Sequence, residues 1–315
     1  MDLQNRIHPD WEDLRLFLEM MRHPTLSDAA VRLGIDPTTL GRRLKRLEQQ
    51  IGTDLFERGP NGFRPTVTAR NLAVHVEEME IASLKAWESI GSEDATTGIV
   101  RISTAEGFGS YIIAPALAEF SKHHPKLKID LVAGSGFLSV SKREADMSIL
   151  LARPTTGRLF VRKLSDYRLM LYGARNYLSS HAPIEMVDDV KDHPLIGYVE
   201  DLIYSPKLRY LDEFPFEAKP AIRSSSIVGQ LQAAKAGAGL CVLPCFMADK
   251  EIDLERILPE TISFERSMWL AVHEEIREFA RIEAAIRFLT ETVAKAQSQL
   301  SGEKPHVAQL TLPQV

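Results

Sequence analysis

The sequence predicts an α plus α/β fold: an N-terminal winged helix-turn-helix over residues 1–65, a long linker helix and hinge over 66–97, a two-lobed α/β domain over 98–297, and a mobile tail over 298–315. Three observations predict it. Residues 26–64 read as two short helices, a tight turn and a basic, glycine-rich hairpin; residues 66–90 contain neither glycine nor proline; beyond Gly98, apolar runs of strand length alternate with helical periods.

In the first part, Ala29, Ala30, Val31 and Leu33 give a small apolar helical face, Gly34 supplies the left-handed residue that ends the helix, and Ile35 packs the corner. Asp36 is placed to cap a second helix, Pro37 suits its first position, and Leu40, Leu44 and Leu47 recur at spacings of four and three. The opposite face carries Thr38, Thr39, Gly41, Arg42, Arg43, Lys45 and Arg46, so residues 37–47 hold four cations and no anion. Such a face suits the major groove of double-stranded DNA. Leu55, Phe56, Glu57 and Arg58 read as a short strand, and Gly59-Pro60-Asn61-Gly62 as a hairpin tip flanked by Arg58 and Arg64. A hairpin with an arginine on each side can follow the phosphate backbone and reach a minor groove.

From Thr66 to Ile90 one long helix is expected. Leu72, Val76, Met79, Ser83, Ala86 and Ile90 are spaced four, three, four, three, four, a heptad seam. A single helix packed on its own domain competes with a paired helix. Pairing is preferred, because a twofold dimer reads two half-sites. Residues 91–98, Gly-Ser-Glu-Asp-Ala-Thr-Thr-Gly, read as a hinge.

Beyond the hinge, residues 99–103, 127–132 and 147–152 read as buried strands, separated by a helix near 111–123 and a shorter one near 138–144. A second set follows: strands at 167–173, 195–199, 221–224 and 240–244, with a helix over about 226–236. A strand at 267–273 and a helix over about 276–296 would return to the first lobe. Two lobes with double crossings make a clamshell of the periplasmic-binding-protein-like kind. The tail from Ser298 to Val315 shows no helical period.

Leu14, Phe17, Ala29-Ala30, Leu33, Leu40, Arg42, Leu47-Glu48, Gly52 and Leu55-Phe56-Glu57-Arg58 together resemble the DNA-binding domain of LysR-type transcriptional regulators. The motif match covers about the first 65 residues, and the remainder agrees in layout. The chain departs from the family at Gly41, where serine is usual, at Pro37, where glutamine is common, and at Ala69, where glycine is common. The resemblance implies a dimeric or tetrameric regulator that binds DNA and takes a small-molecule effector between its lobes.

Composition agrees with that expectation. Thirty-eight basic and 43 acidic residues leave a net charge of −5, which opposes indiscriminate coating of nucleic acid. Residues 1–65 hold ten of each sign, with the positive charge gathered on one helix and one hairpin, as a site-seeking binder requires. No apolar run is long enough to cross a bilayer and MDLQNRIHPDWED lacks the order of a signal peptide, so no membrane role and a cytoplasmic location are expected.

No catalytic constellation, metal set or cofactor fingerprint is expected. Gly107-Phe108-Gly109 lacks the third glycine of a dinucleotide fingerprint, since Ile112 stands there. His123-His124 suits a solvated helix end, and Cys241 and Cys245 suit packing better than a redox pair. Ligands of open α/β sheets bind beyond the carboxyl ends of strands, which nominates Thr104, Glu106, Gly134, Ser135, Arg153, Ser224, Ser225 and Ser226 as effector-binding residues. Each hydroxyl suits a helix cap as well as a ligand contact. Arg153 and the serines would hold a carboxylate-bearing effector, whereas Phe137 and Tyr198 would take an apolar or aromatic body. Two rivals remain: a two-lobed small-molecule-binding protein without a DNA role, and an enzyme carrying a DNA-binding appendage.

Overall fold

The structure is a computed structural model that describes residues 9–23, 25–59, 62–90, 96–134, 140 and 144–303, with the backbone alone for 87–90. The chain divides into two compact units, Met1–Glu93 and Asp94–Val315.

In the first unit, helix α1 (Trp11–Arg22) starts where the Asp10 side chain accepts from the Glu12 N–H. Helix α2 (Leu26–Leu33) is capped by Thr25 and ends at Gly34, whose φ of 65° explains why glycine stands there. Helix α3 (Pro37–Ile51) begins at Asp36 as expected, its carboxylate accepting from the Thr38 N–H at 2.8 Å. Strands β1 (Phe56–Gly59) and β2 (Gly62–Pro65) pair antiparallel with Gly59 opposite Gly62, and the tip residues Pro60 and Asn61 lie outside the described residues. Glu48 ties α3 to the hairpin by accepting from the Leu55 and Phe56 N–H groups.

Helix α4 (Val67–Ile90) confirms the long helix but corrects the seam. Ala69, Ala73 and Val76 are buried in the core of their own unit, with Phe17, Leu40, Leu47 and Leu55. A bidentate pair from Arg22 to Glu80 fastens the next turn. Val76 is 1% exposed and thus part of the monomer's core, whereas Met79 keeps 46% of its surface open. The apolar residues of α4 therefore serve two faces, and spacing alone does not say which. Of the expected hinge, residues 91–95 lie outside the described residues.

In the second unit, β3 (Gly98–Ala105) leads into a short helix α5 (Glu106–Phe108), a π-helical turn (Gly109–Ile113) and α6 (Ala114–His123). The π turn sits hard on the sheet. A Cβ at Gly109 would lie 2.5 Å from Ala133 Cβ and 2.7 Å from Thr104 Cγ2, so only glycine fits. Strands β4 (Leu127–Gly134) and β5 (Met147–Leu150) flank β3 in parallel. The expected short helix near 138–144 falls largely outside the described residues.

Strand β6 (Leu159–Ala174) is far longer than expected. Its first half, interrupted by Arg162 and Lys163, lacks a buried-strand pattern and becomes a strand by pairing. After α7 (Arg175–Ser180) come β7 (Leu195–Gly197), β8 (Pro220–Arg223), α8 (Ile227–Lys235), β9 (Leu240–Pro244), α9 (Cys245–Ala248) and β10 (Leu254–Ile257). Strand β11 (Ser263–His273) pairs with β6 along its length and with β5 in the first lobe. The strand order is β4-β3-β5-β11-β6-β9-β7-β8, with β10 on β6, so β6 and β11 are the two crossings between lobes. Helix α10 (Ala280–Lys295) returns to the first lobe, where Phe288 meets Phe120 with ring centroids 4.6 Å apart.

The first residues of the expected tail are helical. Residues Gln297–Ser301 form α11, closed by Gly302, with Leu300 fully buried and the Gly302 carbonyl accepting from Arg256. Tertiary contacts hold this turn, which is too short to show a period of its own. Residues 304–315 lie outside the described residues.

Candidate DNA-binding and effector-binding sites

The cationic face of α3 is smaller than its composition suggests. Asp13 of α1 is 1% exposed, and its carboxylate accepts from Arg43 Nε at 2.6 Å and from Arg46 Nη2 at 2.5 Å and Nε at 3.1 Å. A carboxylate buried this deeply needs compensating charge. Arg43 and Arg46 supply it, and they brace α3 against α1 rather than standing free on its outer face. Arg46 still keeps 53% of its side chain open. Arg42 and Lys45 are exposed, with no ion pair to another described residue.

Thr38 is exposed at the start of α3, but its side chain and N–H both serve the Asp36 cap, holding that carboxyl below the usual carboxylate range. Thr39 is partly exposed. Gly41 is turned toward α2: a Cβ there would meet Leu26 Cδ1 at 3.6 Å, ordinary contact with a neighbouring helix rather than open space toward DNA. On the wing, Arg58 lies opposite Phe63, with its guanidinium 5.8 Å from that ring, and Arg64 lies opposite Glu57. Both arginines are exposed.

Between the lobes of the second unit is a cavity of about 30 Å³, lined by Glu106, Gly134, Tyr198, Tyr204, Ser225 and Phe246 among others. That is room for roughly two or three water molecules. Burial, with the charge of Glu106 adding to it, pushes Tyr204 up to about 12, and burial raises Tyr198 and Tyr210 well above their ordinary value. These phenols are therefore neutral donors and apolar faces at physiological pH.

Glu106 fills the place expected for a ligand's carboxylate. Its Oε1 accepts from Ser226 Oγ at 2.9 Å and its Oε2 from the Ile227 N–H at 3.0 Å, at the first turn of α8. Ser226 also caps that helix by accepting from the Gly229 N–H, and Ser224 closes a local turn by accepting from the Ser226 N–H. For Ser224 and Ser226 the cap is the role on view. Arg153 is exposed with its guanidinium 5.5 Å from the Trp269 ring, and it does not line the cavity. Thr104 is 0% exposed, its hydroxyl has no hydrogen-bond partner among the described residues, its methyl faces the π turn at Gly109, and it does not line the cavity. Ser135 and Phe137 lie outside the described residues.

Two family models match the chain. Residues 11–70 match the bacterial regulatory helix-turn-helix protein, lysR family, and residues 93–294 match the LysR substrate binding domain. The chain belongs to the LysR family of transcriptional regulators. The match over 11–70 removes the rival of a two-lobed binding protein without a DNA role.

The regulator is 25% identical over 269 residues to the Mau operon transcriptional activator of Paracoccus denitrificans, covering 85% of this chain and 91% of that protein. It is 21% identical over 251 residues to the regulator CrgA of Neisseria meningitidis, covering 79% and 84%. Among solved structures it shares its fold with CrgA (TM-score 0.57, 20% identity, 89% and 97% covered). It also shares it with full-length LysG of Corynebacterium glutamicum with bound effector Arg (TM-score 0.62, 15% identity, 91% and 98% covered). These relatives are transcriptional regulators. No helix among the described residues is long and apolar enough to cross a membrane, and those residues hold no group of three metal-ligating side chains.

Sequence reasoning missed Asp13 in the regulator. The signal was an acidic residue four positions before Phe17, on the buried face of α1, which does not name its partner thirty residues on. Cys241 and Cys245 are buried, and burial pushes both thiols up, which favours packing. Thr104→Val replaces an unpaired buried hydroxyl with an isosteric methyl. It is expected to leave the melting temperature unchanged, or to stabilise by up to about 1 kcal/mol, with effector response intact. A lost response would return Thr104 to the ligand's contacts.

Proposed function

We propose that the regulator acts in the cytoplasm as a homodimer or homotetramer on double-stranded DNA. Thr39, Arg42 and Lys45 of α3 enter the major groove, Arg58 and Arg64 of the wing follow the backbone, and Arg46 contributes its exposed edge. The observation that carries this reading is the cluster of exposed cations on one helix and one hairpin in a unit whose other α3 cations are committed to Asp13. A small-molecule effector enters the cleft at Glu106, Gly134, Tyr198 and Ser225. LysG, a structural neighbour, carries bound Arg as effector, which supports that assignment. Regulation is linkage: an effector that binds one lobe arrangement better shifts the population of DNA-binding geometries. Transcriptional control requires no catalysis, cofactor or membrane.

Pairing runs along the part of α4 that the monomer core leaves open, where Met79 stands seven residues from the exposed Ala86. Met79→Glu is expected to weaken self-association at least tenfold, by placing like charges across the twofold and losing apolar burial, while the DNA-binding unit melts as before. Sedimentation velocity checks this. An intact Met79→Glu dimer would move the association to another surface. Val76→Glu is not that test, because Val76 belongs to the monomer's own core.

A further inference from the structure

We infer that Glu106 is a built-in carboxylate latch: it joins the two lobes by filling the place at the start of α8 that an anionic effector would take, so the cleft selects ligands that carry no negative charge. This inference rests on the reading of the cleft as the effector site.

Four observations carry it. Glu106 follows β3 in the first lobe, yet both of its oxygens accept hydrogen bonds from the second lobe, 120 and 121 residues away. The turn that bears it is seated closely: a Cβ at Gly107 would lie 2.5 Å from Met247 Sδ and 3.2 Å from Ile227 Cγ2, and Phe108 meets Phe246 edge to face at 6.1 Å. The cavity beneath holds only about 30 Å³, so the lobes stand close together at this turn. Finally, Glu106 is the only charged side chain that lines the cavity among the described residues; the remaining lining is Tyr, Phe, aliphatic side chains, Ser225 and backbone.

The consequence follows from charge. The free N–H of α8 and the Ser226 hydroxyl are saturated by an anion that cannot diffuse away. A second carboxylate entering the cleft would meet the first in a site of low dielectric, with no cation among the described lining residues to offset it. A neutral or cationic molecule with an apolar body meets tyrosine and phenylalanine faces instead. Binding such a molecule requires more room than the closed cavity has, so entry parts the lobes at this latch.

The test uses the full chain, with sodium acetate as the probe, acetamide as its uncharged isostere and sodium chloride as the ionic-strength control. Glu106→Ala removes the carboxylate and leaves a space of acetate size. It is expected to lower the melting temperature of the effector-binding unit by about 6–12 °C, as loss of two hydrogen bonds to a charged group should. Acetate should restore about 2–4 °C of that saturably, acetamide should not, and the unaltered protein should respond to neither. Glu106→Gln keeps the space filled, so it should melt lower and remain indifferent to acetate; it carries the test if the alanine variant does not fold. Either variant melting like the parent, or acetate stabilising the parent as much as Glu106→Ala, would overturn the latch. DNA affinity of the same proteins tests the underlying reading separately. Acetate rescue of melting with DNA affinity unchanged throughout would leave the latch standing and remove the cleft from regulation.

Discussion

Replacing Asp13 with alanine is expected to destabilise the DNA-binding unit by about 3–4 kcal/mol, the lower part of the range for breaking a buried ion pair, because the two arginines left behind can turn to solvent. Arg43 and Arg46 keep 26% and 53% of their side chains exposed, whereas Asp13 is all but sealed. Asp13→Asn should cost nearly as much, since the amide keeps the shape but loses the charge. Urea unfolding of the two variants measures this, and a loss below about 1 kcal/mol would mean that the carboxylate is not the brace between α1 and α3. Arg43→Ala should behave as a stability variant, whereas Arg42→Ala should leave unfolding unchanged. That pair separates two arginines that are adjacent in sequence and different in duty.

The combined variant Arg42→Ala, Lys45→Ala, Arg58→Ala, Arg64→Ala is expected to fold normally and to lose most DNA affinity. Each phosphate contact removed flattens the slope of log affinity against log salt by about 0.9, so four per protomer and eight per dimer would remove up to about seven units of slope. At physiological salt the affinity should fall by at least about a thousandfold on specific and unrelated DNA alike. Binding measured at several salt concentrations decides it. An unchanged slope would show that these four side chains do not touch phosphate.

Much of this regulator was legible because local chemistry settles local structure. Asp36-Pro37 and Gly34 place the ends of α2 and α3, Leu40, Leu44 and Leu47 declare the buried face of α3, and the Gly59 to Gly62 pairing sets the wing. What the local pattern misassigned was always a matter of partner. Four cations on α3 look alike until Asp13 claims two of them. Val76 and Met79 are both seam residues by spacing, and only packing assigns one to the monomer's core and leaves the other open. Ser226 reads equally as cap or ligand contact, and it turns out to serve Glu106 of the other lobe.

The sequence by itself determined the class of the molecule: a winged helix-turn-helix, a long helix, and lobes of alternating strand and helix. Periodicity, capping residues and turn glycines act over a few residues, a range at which the chain carries its own instructions. Tertiary structure alone decided which charges are spent inside the protein and which remain exposed, and it set the regulator's own carboxylate across the cleft. The physical reason is that burial and charge compensation join residues tens to hundreds of positions apart, as with Asp13 and Arg43 or Glu106 and Ile227, and nothing in the local pattern at either end encodes the other.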